Sequence, residues 1–370
     1  MSRHHCAATP LCWVFYYIVI YYERNKYNDN ISKSILVLIR RGEVLFLRVK
    51  SDLLANTFCL LRETLLDGIE YYLFTKKNIT KITSDQMSID RTHFSNSNEL
   101  IVYVHGFGCH YNDRFIIPIP KAYLNRTMDR NIIGVDYSRV TGKIYLSEIK
   151  SGLQYPTSVY CDSPKVAEQI ATFLAQLVKL KPKIKHIHLI GHSLGAHIVG
   201  HVAKLHGQIT GRLVDRVTAL DPAGPLFYSS SRVHIGVARF VDVVHTNIGV
   251  LGYVEPLGNV DFYFNSGLTQ IGCNGSLDEL IICSHMAAIN YFAESVNNKR
   301  IIGIPCNDFD NLIKNYNLKM NASNLNEVLN TSCSSNTSSN KSSIIFGEHV
   351  PLNASGIYYI PYSTVPNYSP

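Results

Sequence analysis

Residues 186–204 constrain the fold of this chain more than any other stretch. An apolar run, His186-Ile187-His188-Leu189-Ile190, leads into Gly191-His192-Ser193-Leu194-Gly195, and Ala196-His197-Ile198-Val199-Gly200-His201-Val202-Ala203-Lys204 continues as a helix-like segment. A serine with a glycine two positions away on either side can sit on a tight strand-to-helix turn, because residues without a side chain let the backbone pinch. The pentapeptide alone is common in loops; the strand before it and the helix after it give it specificity. Ser193 is therefore predicted to stand at the end of a buried strand, with its hydroxyl above a sheet.

The rest of the chain alternates strand and helix. Strands are predicted at residues 69–75, 100–105, 132–136, 217–220, 240–244 and 356–360. Ser163 and Pro164 read as the cap and first residue of a helix in which Val166, Ile170, Phe173, Leu174 and Leu177 recur at helical spacing. Wholly apolar strands between helices imply an α/β fold, a mainly parallel central sheet with helices on both faces. The length, 370 residues with 46% apolar, fits one large α/β domain or two small ones. Residues 35–39 and 44–47 flank Arg40-Arg41-Gly42 and read as a hairpin. That hairpin lies in a segment, 23–56, that the pattern leaves unassigned; residues 57–370 read as the α/β domain. Residues 321–343, rich in Ser and Asn, read as a solvated loop.

Residues 11–22 form an unbroken apolar run of twelve behind Arg3, His4 and His5. That length suits a signal-peptide core and falls short of the ~20 residues of a membrane span. Residues 1–22 are read as a signal peptide, with a signal anchor or a buried strand as the alternatives; Glu23-Arg24-Asn25 follows in place of a small-x-small cleavage site. The nine cysteines contain no C-x-x-C pair, which disfavours zinc ribbons and thioredoxin-like chemistry. Close spacing pairs Cys273 with Cys283 and Cys306 with Cys333. If residues 1–22 are removed, Cys6 and Cys12 go with them and one of Cys59, Cys109 and Cys161 is left unpaired. Ten N-x-S/T sequons, at Asn30, Asn78, Asn125, Asn274, Asn321, Asn330, Asn336, Asn340, Asn353 and Asn367, fit a secreted glycoprotein. The expected location is extracellular, with membrane anchoring by the apolar segment as the alternative. The net charge of +7 is spread along the chain without a basic cluster interleaved with aromatics, which argues against a nucleic-acid partner. It is compatible with weak attraction to anionic lipid surfaces.

A serine hydroxyl needs a base within hydrogen-bond reach and an acid that orients the base. Asp221 is the foremost acid candidate, because it directly follows the predicted strand 217–220, and reacting groups gather at strand C-termini in such sheets. Asp242 and Asp261 are its rivals. Two histidines downstream, His245 and His285, are candidates for the base. His285 follows Cys283 by two residues, so a Cys273–Cys283 bridge would pin the loop that carries it; His245 ends a strand and reads better as a buried structural histidine. Spacing favours His285 and leaves both open. His192 reads as packed beside the serine. A developing oxyanion needs preorganised N–H donors. Leu194, after the serine, and Phe107, in His105-Gly106-Phe107-Gly108 after strand 100–105, are the candidates.

With these residues in place the chain resembles the pancreatic lipase family of secreted animal lipases, and within it the short-lid insect lipases and phospholipases A1. The resemblance rests on HGFG at 105–108, NIIGVDYS at 131–138, IGHSLGAHIVGHVAK at 190–204, ALDPAGPLF at 219–227, FVDVVHTN at 240–247, VDFYFNSG at 260–267, and GC…CSHMAAINYFAES from 272 to 295. It implies the α/β-hydrolase fold, Ser193 as nucleophile, Asp221 as acid, His285 as base, and Phe107 and Leu194 as oxyanion donors. It implies no metal and no organic cofactor. The implied partner is a phospholipid or neutral-lipid substrate at a lipid–water interface, met by a monomer in transient contact with the membrane surface. The family's lid lies between the cysteines corresponding to Cys273 and Cys283, and here encloses only nine residues, 274–282. So short a lid, with a short loop between His245 and Asp261, is similar to the phospholipases A1. A triacylglycerol or galactolipid lipase is the enzymatic alternative, and a catalytically inactive lipid-binding protein of the yolk type is the alternative from another class. The family's C-terminal β-sandwich lipid-binding domain is expected to be absent. Tyr137 stands where many members have Trp, Phe264-Asn265-Ser266 replaces Pro-Asn-Gly, and residues 143–153 match poorly.

Overall fold

The computed structural model describes residues 17–22, 34–40, 43–49, 59, 68–83, 85–125, 130–141, 154–227, 231–306 and 342–361. The chain divides into two compact units, residues 1–63 with 144–161, and residues 64–143 with 162–370. In the first unit β1 (Tyr17–Tyr22), β2 (Ser34–Arg40) and β3 (Glu43–Val49) form an antiparallel sheet in that order. The predicted hairpin is the β2–β3 pair, whose register runs from Ser34 opposite Val49 to Arg40 opposite Glu43. The end of the N-terminal apolar run is strand β1, paired along its whole length with β2.

The second unit carries an eleven-stranded sheet. Its strands are β4 (Glu70–Phe74), β5 (Ile79–Ile82), β6 (Glu99–Val104), β7 (Asn131–Asp136), β8 (His186–His192), β9 (Arg216–Leu220), β10 (Phe240–His245), β11 (Val260–Phe264), β12 (Ile302–Cys306), β13 (Ile344–Ile345) and β14 (Gly356–Ile360). The order across the sheet is β13-β12-β14-β11-β10-β9-β8-β6-β7-β4-β5. From β14 through to β7 every neighbouring pair is parallel, and antiparallel strands close both edges. This is the mainly parallel sheet that the apolar strands predict, and it has the α/β-hydrolase form.

The sheet is covered on both faces. Ile101, Tyr103, Ile190, Leu220, Val244, Phe262 and Phe264 join the helices Pro118–Leu124 and Leu277–Asn297 in one continuous core. Alternate residues of a strand point to opposite faces. Phe74 belongs to that core, whereas Tyr71, three residues earlier, stacks on Phe173 of the helix Ser163–Leu180 at 3.7 Å. That helix buries Val166, Ile170, Phe173, Leu174 and Leu177, the predicted stripe, and packs along the helix Leu194–Thr210.

Register places the site. Gly191 pairs with Ala219 and His192 with Leu220, so Ser193 and Asp221 are the next residues on neighbouring parallel strands. Leu220 also pairs with Val244, which sets His245 at the same level, and Val104 pairs with Gly191, which sets His105 beside His192. Four chain segments thus leave the sheet together at its C-terminal edge, where open α/β sheets hold their ligands.

Candidate active site

Ser193 has φ 56° and ψ −121°, a conformation L-residues rarely adopt. Such strain costs of the order of 1–3 kcal/mol and persists only where the surroundings enforce it. Here the Ser193 N–H donates to the Leu220 carbonyl at 3.0 Å and its own carbonyl accepts from Ala223 N–H at 3.2 Å. The flanking glycines are needed for close approach. A methyl on Gly191 would lie 2.2 Å from the Gly195 carbonyl oxygen, and one on Gly195 would lie 2.3 Å from that of His105. The strand-to-helix turn predicted from the pentapeptide is present, with the helix beginning at Leu194.

Asp221 is fully buried and also has a positive φ, 39°. Its Oδ1 accepts from the backbone N–H of Thr246 at 2.7 Å and of Asn247 at 3.0 Å. Its Oδ2 faces Nδ1 of His285 at 2.5 Å. A carboxylate so supplied with donors is held in one orientation, and with it the imidazole ring.

His285 stands within the helix Leu277–Asn297 rather than on a loop, as the cysteine spacing led us to expect. The helix starts early because Ser276 and Glu279 form a reciprocal capping box, with Asp278 and Glu279 in the first turn. The Cys273–Cys283 disulfide spans this start, so residues 277–282 of the short loop 274–282 are helical. The Ser193 hydroxyl makes no hydrogen bond to His285 among the described residues; such contacts are often long before substrate binds.

Two more histidines hold the elbow. His192 Nε2 donates to the backbone carbonyl of His285 at 3.0 Å, and the two rings lie 4.5 Å apart. Burial pushes His192 well below the usual histidine range, so the ring is neutral and serves as a single donor. His197 Nε2 donates to Ala223 O at 2.8 Å and its Nδ1 accepts from Val233 N–H at 3.1 Å. Burial lowers it to about 3. It staples the elbow helix to the turn that follows Asp221.

The HGFG loop lies beside the serine, since a methyl on Gly106 would be 3.1 Å from Ser193 Cβ. Tyr137 props this loop. Its hydroxyl donates to His105 O at 2.7 Å and its ring stacks on the His105 ring at 4.2 Å. Phe107 is half-buried, and Leu194 is buried as the first residue of its helix.

The rival residues have other partners. Asp242 accepts two bonds from the buried Arg216, each of 2.8 Å. Asp261 pairs with His245 at 2.9 Å. Cys59 is bonded to Cys161, and Cys109 is the free thiol among the described residues, raised to about 12 by burial. Cys306 is disulfide-bonded, while Cys333 lies outside the described residues. Among the described residues no group of three or more His, Cys, Asp or Glu converges to hold a metal.

Fold and site together define an α/β-hydrolase with a serine on the nucleophile turn and a His–Asp pair at its side. The chain belongs to the lipase family: the family model described as "Lipase" matches residues 60–344. It is similar to lipase member H of Oryctolagus cuniculus, 34% identical with 65% of this chain and 52% of that protein covered. It is also similar to phospholipase A1 member A of Bos taurus, 30% identical with 69% and 54% covered. The chain thus spans about half the length of these curated relatives. An alpha-beta serine hydrolase homologue from Coxiella burnetii matches at 14% identity over 50% of this chain and 76% of that chain, with a TM-score of 0.31, too weak a likeness to bear on the fold.

Proposed function

We propose that this chain is a secreted serine carboxylester hydrolase of lipid acyl esters, and that it releases the sn-1 acyl chain of phospholipids. The His285–Asp221 pair beside a strained Ser193 carries the reaction type. Ser193 Oγ attacks the ester carbonyl carbon while His285 Nε2 takes the hydroxyl proton. His285 returns that proton to the leaving lysolipid oxygen, leaving an acyl-enzyme. Water then attacks the acyl carbon as His285 accepts its proton, and His285 returns that proton to Ser193 Oγ as the acyl–Oγ bond breaks and the fatty acid departs. Leu194 and Phe107 N–H groups are the proposed donors to the oxyanion.

The phospholipid preference rests on the short loop closed by Cys273–Cys283, whose nine residues, 274–282, leave little span to cover a third acyl chain. Names of relatives agree, phospholipase A1 member A among them. Secretion is supported by the disulfides Cys59–Cys161 and Cys273–Cys283 and by the exposure of every sequon asparagine among the described residues, Asn78, Asn125, Asn274 and Asn353. Among the described residues no helix is long and apolar enough to cross a membrane. We take the protein to act as a monomer that touches the lipid surface transiently.

The test is acyl release from phosphatidylcholine labelled separately at sn-1 and sn-2, and from a long-chain triglyceride, with Ser193→Ala as control. Release from sn-1 that vanishes in the variant is expected. Triglyceride cleavage with little phospholipid turnover would keep the triad and overturn the lid argument. Silence on every acyl ester would favour a lipid-binding protein.

A further inference from the structure

A further buried histidine–aspartate pair, His245 with Asp261, has no part in the chemistry above. Both side chains are sealed from solvent, at 0% and 2% exposure. His245 Nε2 faces Asp261 Oδ1 at 2.9 Å, and its Nδ1 faces the carbonyl oxygen of Tyr253 at 3.1 Å. Both ring nitrogens thus have an oxygen partner within hydrogen-bond distance. Asp261 in turn accepts from the backbone N–H of Leu257 at 2.9 Å and of Gly258 at 3.0 Å. Tyr263 stacks on the His245 ring at 4.1 Å and donates its hydroxyl to Val254 O at 2.9 Å. The pair therefore grips the loop 246–258 at two places, around residue 253 and around residue 257.

That loop is the wall against which Asp221 rests. Thr246 and Asn247, the residues after His245, supply the two N–H groups on Asp221 Oδ1. Farther along, Tyr253 N–H donates to Pro222 O at 2.7 Å and Leu251 O accepts from Gly224 N–H at 2.7 Å. Gly252 lies directly against the carboxylate, since a methyl there would be 2.6 Å from Asp221 Oδ1. We propose that His245 and Asp261 are positioning residues for the hydrolytic reaction: by clamping loop 246–258 they keep the Asp221 carboxylate dry, fully bonded and aimed at His285.

The proposal rests on the Ser193–His285–Asp221 reading, and the test separates the two. The substrate is a short-chain, water-soluble nitrophenyl ester, so lipid binding does not enter. His245→Phe keeps the ring stack and removes both ring nitrogens; His245→Gln keeps an amide N–H donor on the side chain. His245→Phe is expected to lower kcat about tenfold to a hundredfold with KM changed less than about twofold, and to move the acid-side midpoint of kcat/KM by about half a pH unit. His245→Gln is expected to recover most of the rate. A folded His245→Phe protein with wild-type kcat and pH profile would overturn the proposal, as would equal losses in the two variants. If His245→Phe does not fold, Asp261→Asn decides: a lowered kcat at a Tm near wild type supports the clamp, and an unchanged kcat overturns it. If Ser193→Ala is as active as wild type on this ester, the triad reading itself has failed.

Discussion

Of the histidine–carboxylate pairs at the C-terminal edge of the sheet, two invite comparison, His285 with Asp221 at 2.5 Å and His245 with Asp261 at 2.9 Å. Each is nearly sealed from water, yet they are built for different tasks. In the first, one ring nitrogen of His285 is spent on Asp221, and the side chain keeps 9% exposure. In the second, both nitrogens of His245 are engaged and its side chain is wholly buried. A base must keep one nitrogen for the proton it moves. The difference teaches that proximity of His to Asp is not what marks a catalytic pair. Under the proposed mechanism, the unspent nitrogen and the neighbouring strained serine mark it.

Substitutions at the two pairs sharpen this contrast, and the largest effects belong to the first. Ser193→Ala and His285→Ala should each lower kcat by about 10⁴-fold or more in ester hydrolysis assays. Asp221→Asn should cost about 10⁴-fold, because the amide no longer holds the His285 tautomer. Equal losses in Asp221→Asn and Asp261→Asn would erase the distinction between the pairs. Gly252→Ala places a methyl 2.6 Å from Asp221 Oδ1 and leaves both histidines in place. It should lower kcat about tenfold or more while a steady-state fit leaves KM nearly unchanged, since substrate contacts are not altered.

The smallest effect is on stability. His188, His192 and His197 are held neutral by burial, His197 at about 3 against an ordinary 6.5. Below about pH 6.5 the unfolded chain takes up protons that the folded chain refuses, so stability is complete above that pH and is lost as pH falls toward 3. At pH 5 the His197 contribution is about 1.5 pH units below 6.5, or roughly 2 kcal/mol. Thermal unfolding should show Tm lower at pH 5 than at pH 7 by about 5 °C or more. A Tm that is flat over this range would mean these rings are not neutral staples.

Much of this arrangement is legible in the residues, and the illegible part has a physical cause. Ser193 was readable because its turn is local: two glycines, a strand and a helix within twenty residues. Asp221 was readable because it ends an apolar strand. Spacing favoured His285 over His245 and the family resemblance named it, but local pattern left the choice open because it depends on strand order and on how a distant helix crosses the sheet. Ser276-x-x-Glu279 was the overlooked local signal; as a capping box it starts the helix that carries His285. The roles of Gly252 and of the clamp around it arise from contacts between strands β9, β10 and β11, which no spacing rule reveals. The edge strands β5 and β12 were missed because they are short and mix polar residues or Gly and Pro with apolar ones, and β13 because it is only two residues long.

The most direct measurement is covalent trapping. The protein is treated with a fluorophosphonate, digested, and mapped by mass spectrometry, alongside Ser193→Ala and His285→Ala. The expected result is one adduct on the peptide containing Ser193, absent in Ser193→Ala and formed far more slowly in His285→Ala. An adduct on another residue, or equal labelling of Ser193 with and without His285, would contradict the assignment of nucleophile and base.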